Sequence, residues 1–200
     1  GGSARTMYAL AEASNDKGDF LPVWGTCLGF QWLMQLGARN ESDVLCLGCF
    51  DSMNLENKLE LTAAAPTSRL FGSLSSAERT LVAAEKVTFN NHHDGVTPAT
   101  YAANAQLRGT FAALSRNKGR EGRAFLSTIE GNHGLPFYGT QWHPERNQFQ
   151  FSLSAGEDNI EHSTHALVAM QTTANFFVAH EARRNAHAFA SVRLPPAPAC

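Results

Sequence analysis

The sequence predicts one α/β domain, and three observations carry that prediction. Short apolar runs of strand length alternate with stretches of helical character. A Gly-x-Cys-x-Gly motif at residues 25–29 interrupts one such alternation, as a sharp strand-to-helix turn would. The chain has 200 residues with 43% hydrophobic content, enough for one well-buried core.

The elements follow in order. Residues 6–15, rich in Ala, Leu and Met, read as a helix closed by Lys17-Gly18-Asp19. Residues 20–26 are a short apolar strand of the kind found inside a parallel sheet, and 28–36 a helix ended by Gly37. Residues 44–50 and 58–61 read as strands, the first buried. Residues 68–73 form a turn or short helix, and 86–89 lead into a polar loop. Strands are expected at 110–115, 124–130 and 137–141. A C-terminal helix over about 165–184 would turn Leu167, Met170, Ala174 and Phe177 inward as core. The domain is set at 1–193, followed by a Pro/Ala-rich tail at 194–200 that ends in Cys200 and should be extended. No internal repeat is present.

Composition narrows the function. A net charge of −2 and a pI near 6.5 exclude a global electrostatic grip on nucleic acid. No apolar stretch reaches membrane-spanning length, so no membrane partner is expected. The chain begins Gly1-Gly2-Ser3 without Met and reads as an internal start, so a missing signal segment carries no weight. Four cysteines do not make a disulfide framework at this length. Cys46-Leu-Gly-Cys49 has the spacing of a redox pair or half a zinc site, but no second such pair follows and a structural role is expected. Asn40-Glu-Ser42 fits the glycosylation pattern, which is common by chance.

The chemistry centres on Cys27. Its flanking glycines suit a turn so crowded that a side chain on either side would collide with backbone. Such a turn lifts the sulfur to the start of the next helix, where free N–H groups and the helix dipole favour a thiolate. A free cysteine in an apolar run is usually a buried structural residue. The downstream Tyr138-Gly-Thr-Gln-Trp-His-Pro-Glu145 favours the reactive reading. There Pro144 ends the strand and leaves His143 and Glu145 two residues apart on a stiff turn. His143 could take the proton of Cys27 while Glu145 fixes its tautomer, a triad with a thiol nucleophile.

At these residues the chain resembles the gamma-glutamyl hydrolases, the folate-polyglutamate-cleaving branch of the class I glutamine amidotransferase-like group. The resemblance runs through Pro22-Val-Trp-Gly-Thr-Cys-Leu-Gly-Phe30, Phe125-Leu-Ser-Thr-Ile-Glu-Gly131, the His143 motif and Asn175-Phe-Phe-Val-Ala-His-Glu-Ala-Arg-Arg184. It implies a flavodoxin-like three-layer fold whose N-terminal strands are missing here. Cys27 is then the nucleophile, His143 the base and Glu145 its partner. Backbone N–H groups of Leu28 and Gly2 form the oxyanion hole, with Gly1-Gly2-Ser3 resembling the end of the family's Pro-Gly-Gly-Ser loop. His92 in Asn91-His-His-Asp-Gly95 is the family's substrate-side histidine, placed with Gln31 and Gln141 as substrate-binding. The polar-loop reading of His92 stays open, and a metal there lacks further ligands at suitable spacing. Gln31 stands where the family usually carries Glu. The implied substrate is folate poly-gamma-glutamate, with no cofactor or metal, a homodimer left open, and a lysosomal, vacuolar or secreted location. A glutaminase module and a non-catalytic binder of gamma-glutamyl compounds are the competing readings.

Overall fold

The computed structural model describes residues 2–39, 43–152 and 154–185. Its first half comprises α1 (Gly2–Asp16), β1 (Val23–Thr26), α2 (Leu28–Gly37), β2 (Ser52–Asn57), β3 (Glu60–Leu61), α3 (Arg69–Gly72) and α4 (Ser76–Ala84). Then come β4 (Thr88–His92), α5 (Pro98–Ala103), α6 (Ala105–Thr110), β5 (Phe111–Lys118), β6 (Ala124–Gly131), β7 (Phe137–Thr140), α7 (Arg146–Phe149) and α8 (Thr164–Asn175). The predicted α/β class holds, in the flavodoxin-like arrangement of helices on both faces of one sheet.

That sheet runs β1-β7-β6-β5-β3, and β2 and β4 form a separate two-stranded ribbon. Among the described residues only β1 and β7 pair in parallel; the other contacts are antiparallel. The expectation of a parallel sheet thus holds for one pair. Residues 119–123 and 132–136 are short connections, and a short connection turns a chain back as a hairpin. Alternation along the strands divides the core. Phe111, Ile129 and Phe137 face Tyr8 of α1 and Phe30 and Met34 of α2. Leu114 and Tyr138 face Leu70, Val82, Ala166 and Met170 from α3, α4 and α8. Three layers result.

Several expected elements differ. Residues 44–50 form turns, not a strand. Among them only Cys46 makes a bridge, to Gly95, and a disulfide closes Cys46 to Cys49 at a Cα separation of 5.5 Å. Gly48, at φ 63°, permits that tight turn and leaves Leu47 72% exposed, while Val44 and Phe50 at the two ends of the run are buried as expected. The polar stretch after 89 is strand β4, with Asn90 and His92 buried against β2. A buried strand made of polar residues does not show the usual alternation.

The C-terminal helix also needs correcting. It is α-helical only to Asn175, then widens to a π-helical turn, Phe176–Glu181. Its inward face is Ala166, Ala169, Met170, Thr173 and Phe176, while Leu167 and Ala174 point outward. Ala166 and Ala169 are buried in the same cluster as Leu114 and Tyr138, so the buried face lies about one residue from the expected stripe. The sequon at 40–42 and the tail at 194–200 lie outside the described residues. No helix among the described residues is long and apolar enough to cross a membrane.

Candidate active site

Cys27 occupies the corner between β1 and α2 with φ 51° and ψ −102°, a conformation costly for a residue with a Cβ. Its amide donates to the Thr140 carbonyl at 2.8 Å, and its carbonyl accepts the first helical bond, from Gln31 at 3.0 Å. The corner is therefore fixed from both sides. A Cβ on Gly25 would lie 2.6 Å from the backbone carbonyl carbon and oxygen of Gly29. A Cβ on Gly29 would meet nothing within 4 Å. The crowding expected at both glycines thus exists only at Gly25, because the helix start lies over the strand and not the reverse.

Parallel pairing of β1 with β7, Thr26 opposite Thr140, brings both carboxyl ends to the same edge of the sheet. Cys27 and the 141–145 segment meet there. The amide of His143 donates to the Phe89 carbonyl at 2.8 Å, and its Nδ1 lies 2.6 Å from Glu145 Oε1. The opposite ring nitrogen, Nε2, is buried without a hydrogen bond. Burial disfavours charge on this ring. Interaction with the Cys27 thiol and then with the Glu145 carboxylate outweighs it and raises His143 to about 9. Burial would raise Glu145, but its bond to His143 holds it below the usual carboxylate range. The Cys27 thiol and the Glu145 carboxylate both favour the protonated form of this ring.

A chain of neutral hydrogen-bonding groups adjoins the thiol on its other side. Gln141 Nε2 donates to Cys27 Sγ at 3.7 Å, and Gln31 Nε2 donates to Gln141 Oε1 at 3.4 Å and to the Asp94 carbonyl at 3.0 Å. His92 reaches the same carbonyl through Nδ1 at 2.8 Å. A carbonyl only accepts, so His92 carries its proton on Nδ1. Burial above all, with the nearby charge of His143, lowers His92 to about 4 despite that bond, so the ring is neutral near pH 7. Phe125, 4.7 Å away edge-on, helps enclose it.

The structure thus brings together Cys27, His143, Glu145, Gln31, Gln141 and His92. Leu28 opens α2, where the first amides have no intrahelical acceptor. Gly2 opens α1. Its neighbours Ser3 and Ala4 line a cavity of about 220 Å³ with Gly25 and Gly29, so that helix start lies near the corner. Arg146, adjacent to the motif, pairs with Glu157 at 3.3 Å and lies over the Phe89 ring. In the sequence Asp94 suggests only a metal partner for the adjacent histidines. It acts through its backbone carbonyl, which no side-chain pattern reveals. Among the described residues no group of His, Cys, Asp and Glu side chains could hold a metal ion.

No family model matches the chain. Individual relatives do. Gamma-glutamyl hydrolase B of Dictyostelium discoideum is 34% identical over 175 residues, 88% of this chain and 48% of its own length. The gamma-glutamyl hydrolase of Homo sapiens is 34% identical over 189 residues, 94% of this chain and 56% of its own. Gamma-glutamyl hydrolase 1 of Arabidopsis thaliana is 29% identical over 182 residues, 90% of this chain and 50% of its own. The chain therefore spans about half the length of the curated relatives it matches. Along about nine-tenths of its own residues, this chain is homologous to the gamma-glutamyl hydrolases.

Proposed function

We propose that the protein hydrolyses gamma-glutamyl amide bonds of folate poly-gamma-glutamates through a cysteine thioester. The observation that carries this reading is the convergence of Cys27 with the His143–Glu145 pair at the ends of two adjacent parallel strands. Kinship to proteins named gamma-glutamyl hydrolase supports the bond class.

In the proposed sequence, Cys27 Sγ attacks the gamma-carbonyl carbon and its proton resides on His143. The carbonyl electrons move onto the oxygen, which the backbone N–H of Leu28, with that of Gly2, stabilises; one such donor is typically worth about 10²–10³ in rate. The C–N bond then breaks as His143 gives its proton to the departing amine, leaving the thioester. Water, losing a proton to His143, attacks the thioester and releases the gamma-glutamyl acid and the thiol. Glu145 keeps the imidazolium oriented throughout, and neutral His92, with Gln31 and Gln141, lines the substrate side. Acid–base catalysis of this kind contributes roughly 10²–10⁴.

The same kinship leads us to place the protein in a lysosome or vacuole or outside the cell. A disulfide at Cys46–Cys49 suits such an oxidising compartment. Residues 1–193 are read as part of the hydrolase domain, and a homodimer as its open assembly state.

The test is glutamate release from folate pentaglutamate by the protein and by Cys27→Ala, with free glutamine as a parallel substrate. Pteroyl-polyglutamate cleavage lost in Cys27→Ala is expected. Activity on glutamine alone would replace this reading with a glutaminase. Folate binding without turnover of either substrate would make the protein a non-catalytic binder.

A further inference from the structure

We propose that Asp94 is a positioning residue for this site, held in place by the disulfide-closed turn at Cys46–Cys49. The proposal rests on the catalytic reading of Cys27 above. Asp94 faces two ways. Its carboxylate accepts from the Gly48 amide at 2.7 Å, inside the turn that the disulfide closes. Its backbone carbonyl accepts from both Gln31 Nε2 and His92 Nδ1.

The strap around Asp94 is continuous. Cys46 and Gly95 exchange backbone bonds at 2.8 and 3.3 Å, and the Phe50 amide donates to the His93 carbonyl at 2.9 Å. The turn therefore grips the chain on both sides of Asp94. From the Asp94 carbonyl the connection runs through Gln31 and Gln141 to the Cys27 sulfur. Both protons of the Gln31 amide are used, and both lone pairs of the carbonyl are occupied, so neither can shift without breaking a bond. Releasing the turn frees the carbonyl, and with it the two side chains that flank the nucleophile. The turn reaches Gln31 through Asp94, while Phe50, just after it, packs edge-on against the His92 ring at 6.4 Å.

Asp94→Ala removes the tie to Gly48, whereas Asp94→Asn keeps an oxygen that can accept it. Cys46→Ser/Cys49→Ser opens the turn while keeping Asp94. Two readouts are needed: kcat and KM on a folate polyglutamate, and the rate of iodoacetamide alkylation at Cys27, located by mass spectrometry. Asp94→Ala and the double serine variant should each lower kcat about 10-fold with KM within about two-fold. Alkylation of Cys27 should slow with them, and Asp94→Asn should restore most of both. Wild-type kcat and alkylation in Asp94→Ala would overturn the proposal. So would an Asp94→Asn variant as impaired as Asp94→Ala, since the charge and not the tie would then matter. If Asp94→Ala does not fold, the double serine variant decides: an unchanged alkylation rate refutes the tie. A wild type that cleaves no gamma-glutamyl bond, yet shows the alkylation pattern, keeps the positioning role and removes the functional reading instead.

Discussion

His143 Nδ1 lies 2.6 Å from Glu145 Oε1, while the ring's other nitrogen is buried and free of any hydrogen bond. The carboxylate thus holds one side of the imidazole, and in the proposed mechanism the other nitrogen carries the transferred proton. Replacing Glu145 by Gln should lower kcat about 10-fold or more and move the alkaline limb of activity toward lower pH. His143 is raised in the folded state, so the stability it contributes is full below its unfolded value near 6.5 and is lost as pH rises through about 9. Glu145 is lowered, so its share is present above about 4.5 and disappears as pH falls through its depressed value. The melting-temperature gap between wild type and Glu145→Gln should therefore be widest between those limits and close above about pH 9. A constant gap across pH would break the linkage.

Gln31 donates to two carbonyl-type oxygens, from Asp94 and Gln141, and a carboxyl, with one proton at most, cannot do both. Gln31→Glu places an ionised carboxylate against the Asp94 carbonyl in a buried position. Burial and the facing oxygen should keep that carboxyl protonated to higher pH than usual. The variant should lose activity near pH 8 and regain much of it near pH 5, where the acid can donate again. A kcat/KM profile parallel to wild type would refute this.

Gly25 and Gly29 should respond in opposite ways. Gly25→Ala drives a methyl into the Gly29 backbone and should cost about 1–3 kcal/mol, with activity lost as the corner shifts. Gly29→Ala enters open space in the first turn of α2, where Ala favours helix by up to about 1 kcal/mol. Urea unfolding midpoints distinguish them.

Glu56 is buried in β2, accepting from Asn147 Nδ2 and the Glu161 amide while its second oxygen has no partner. Burial dominates those bonds and raises its pKa to about 7. A raised carboxyl makes the folded state bind the extra proton, so its cost is absent below about 4.5 and grows as pH rises toward 7. Glu56→Gln keeps an accepting oxygen and removes that cost. It should stabilise the protein by up to about 3 kcal/mol at pH 8 and little at pH 5. Denaturant titrations at both pH values check this; equal effects would contradict it.

The residue types and spacing alone determined the two corners that carry Cys27 and the His143–Glu145 pair. Gly-x-Cys-x-Gly needs a strand-to-helix corner, and His-Pro-Glu needs a stiff turn, and both constraints are local in the chain. Helix α4 is also legible through Ser75 and Glu78, whose reciprocal capping box starts it. Other features depended on partners distant in sequence. Residues 44–50 look like a strand until Gly95 and the disulfide make them a turn. His92 and Asn90 look like a polar loop until β2 buries them. Which end of β1 meets which end of β7, and hence that Cys27 and residues 141–145 share one sheet edge, was settled by parallel pairing across more than 100 residues of chain. Local preference specifies the corners; the burial of distant surfaces chooses which corners share an edge, because that free energy arises only once the layers close.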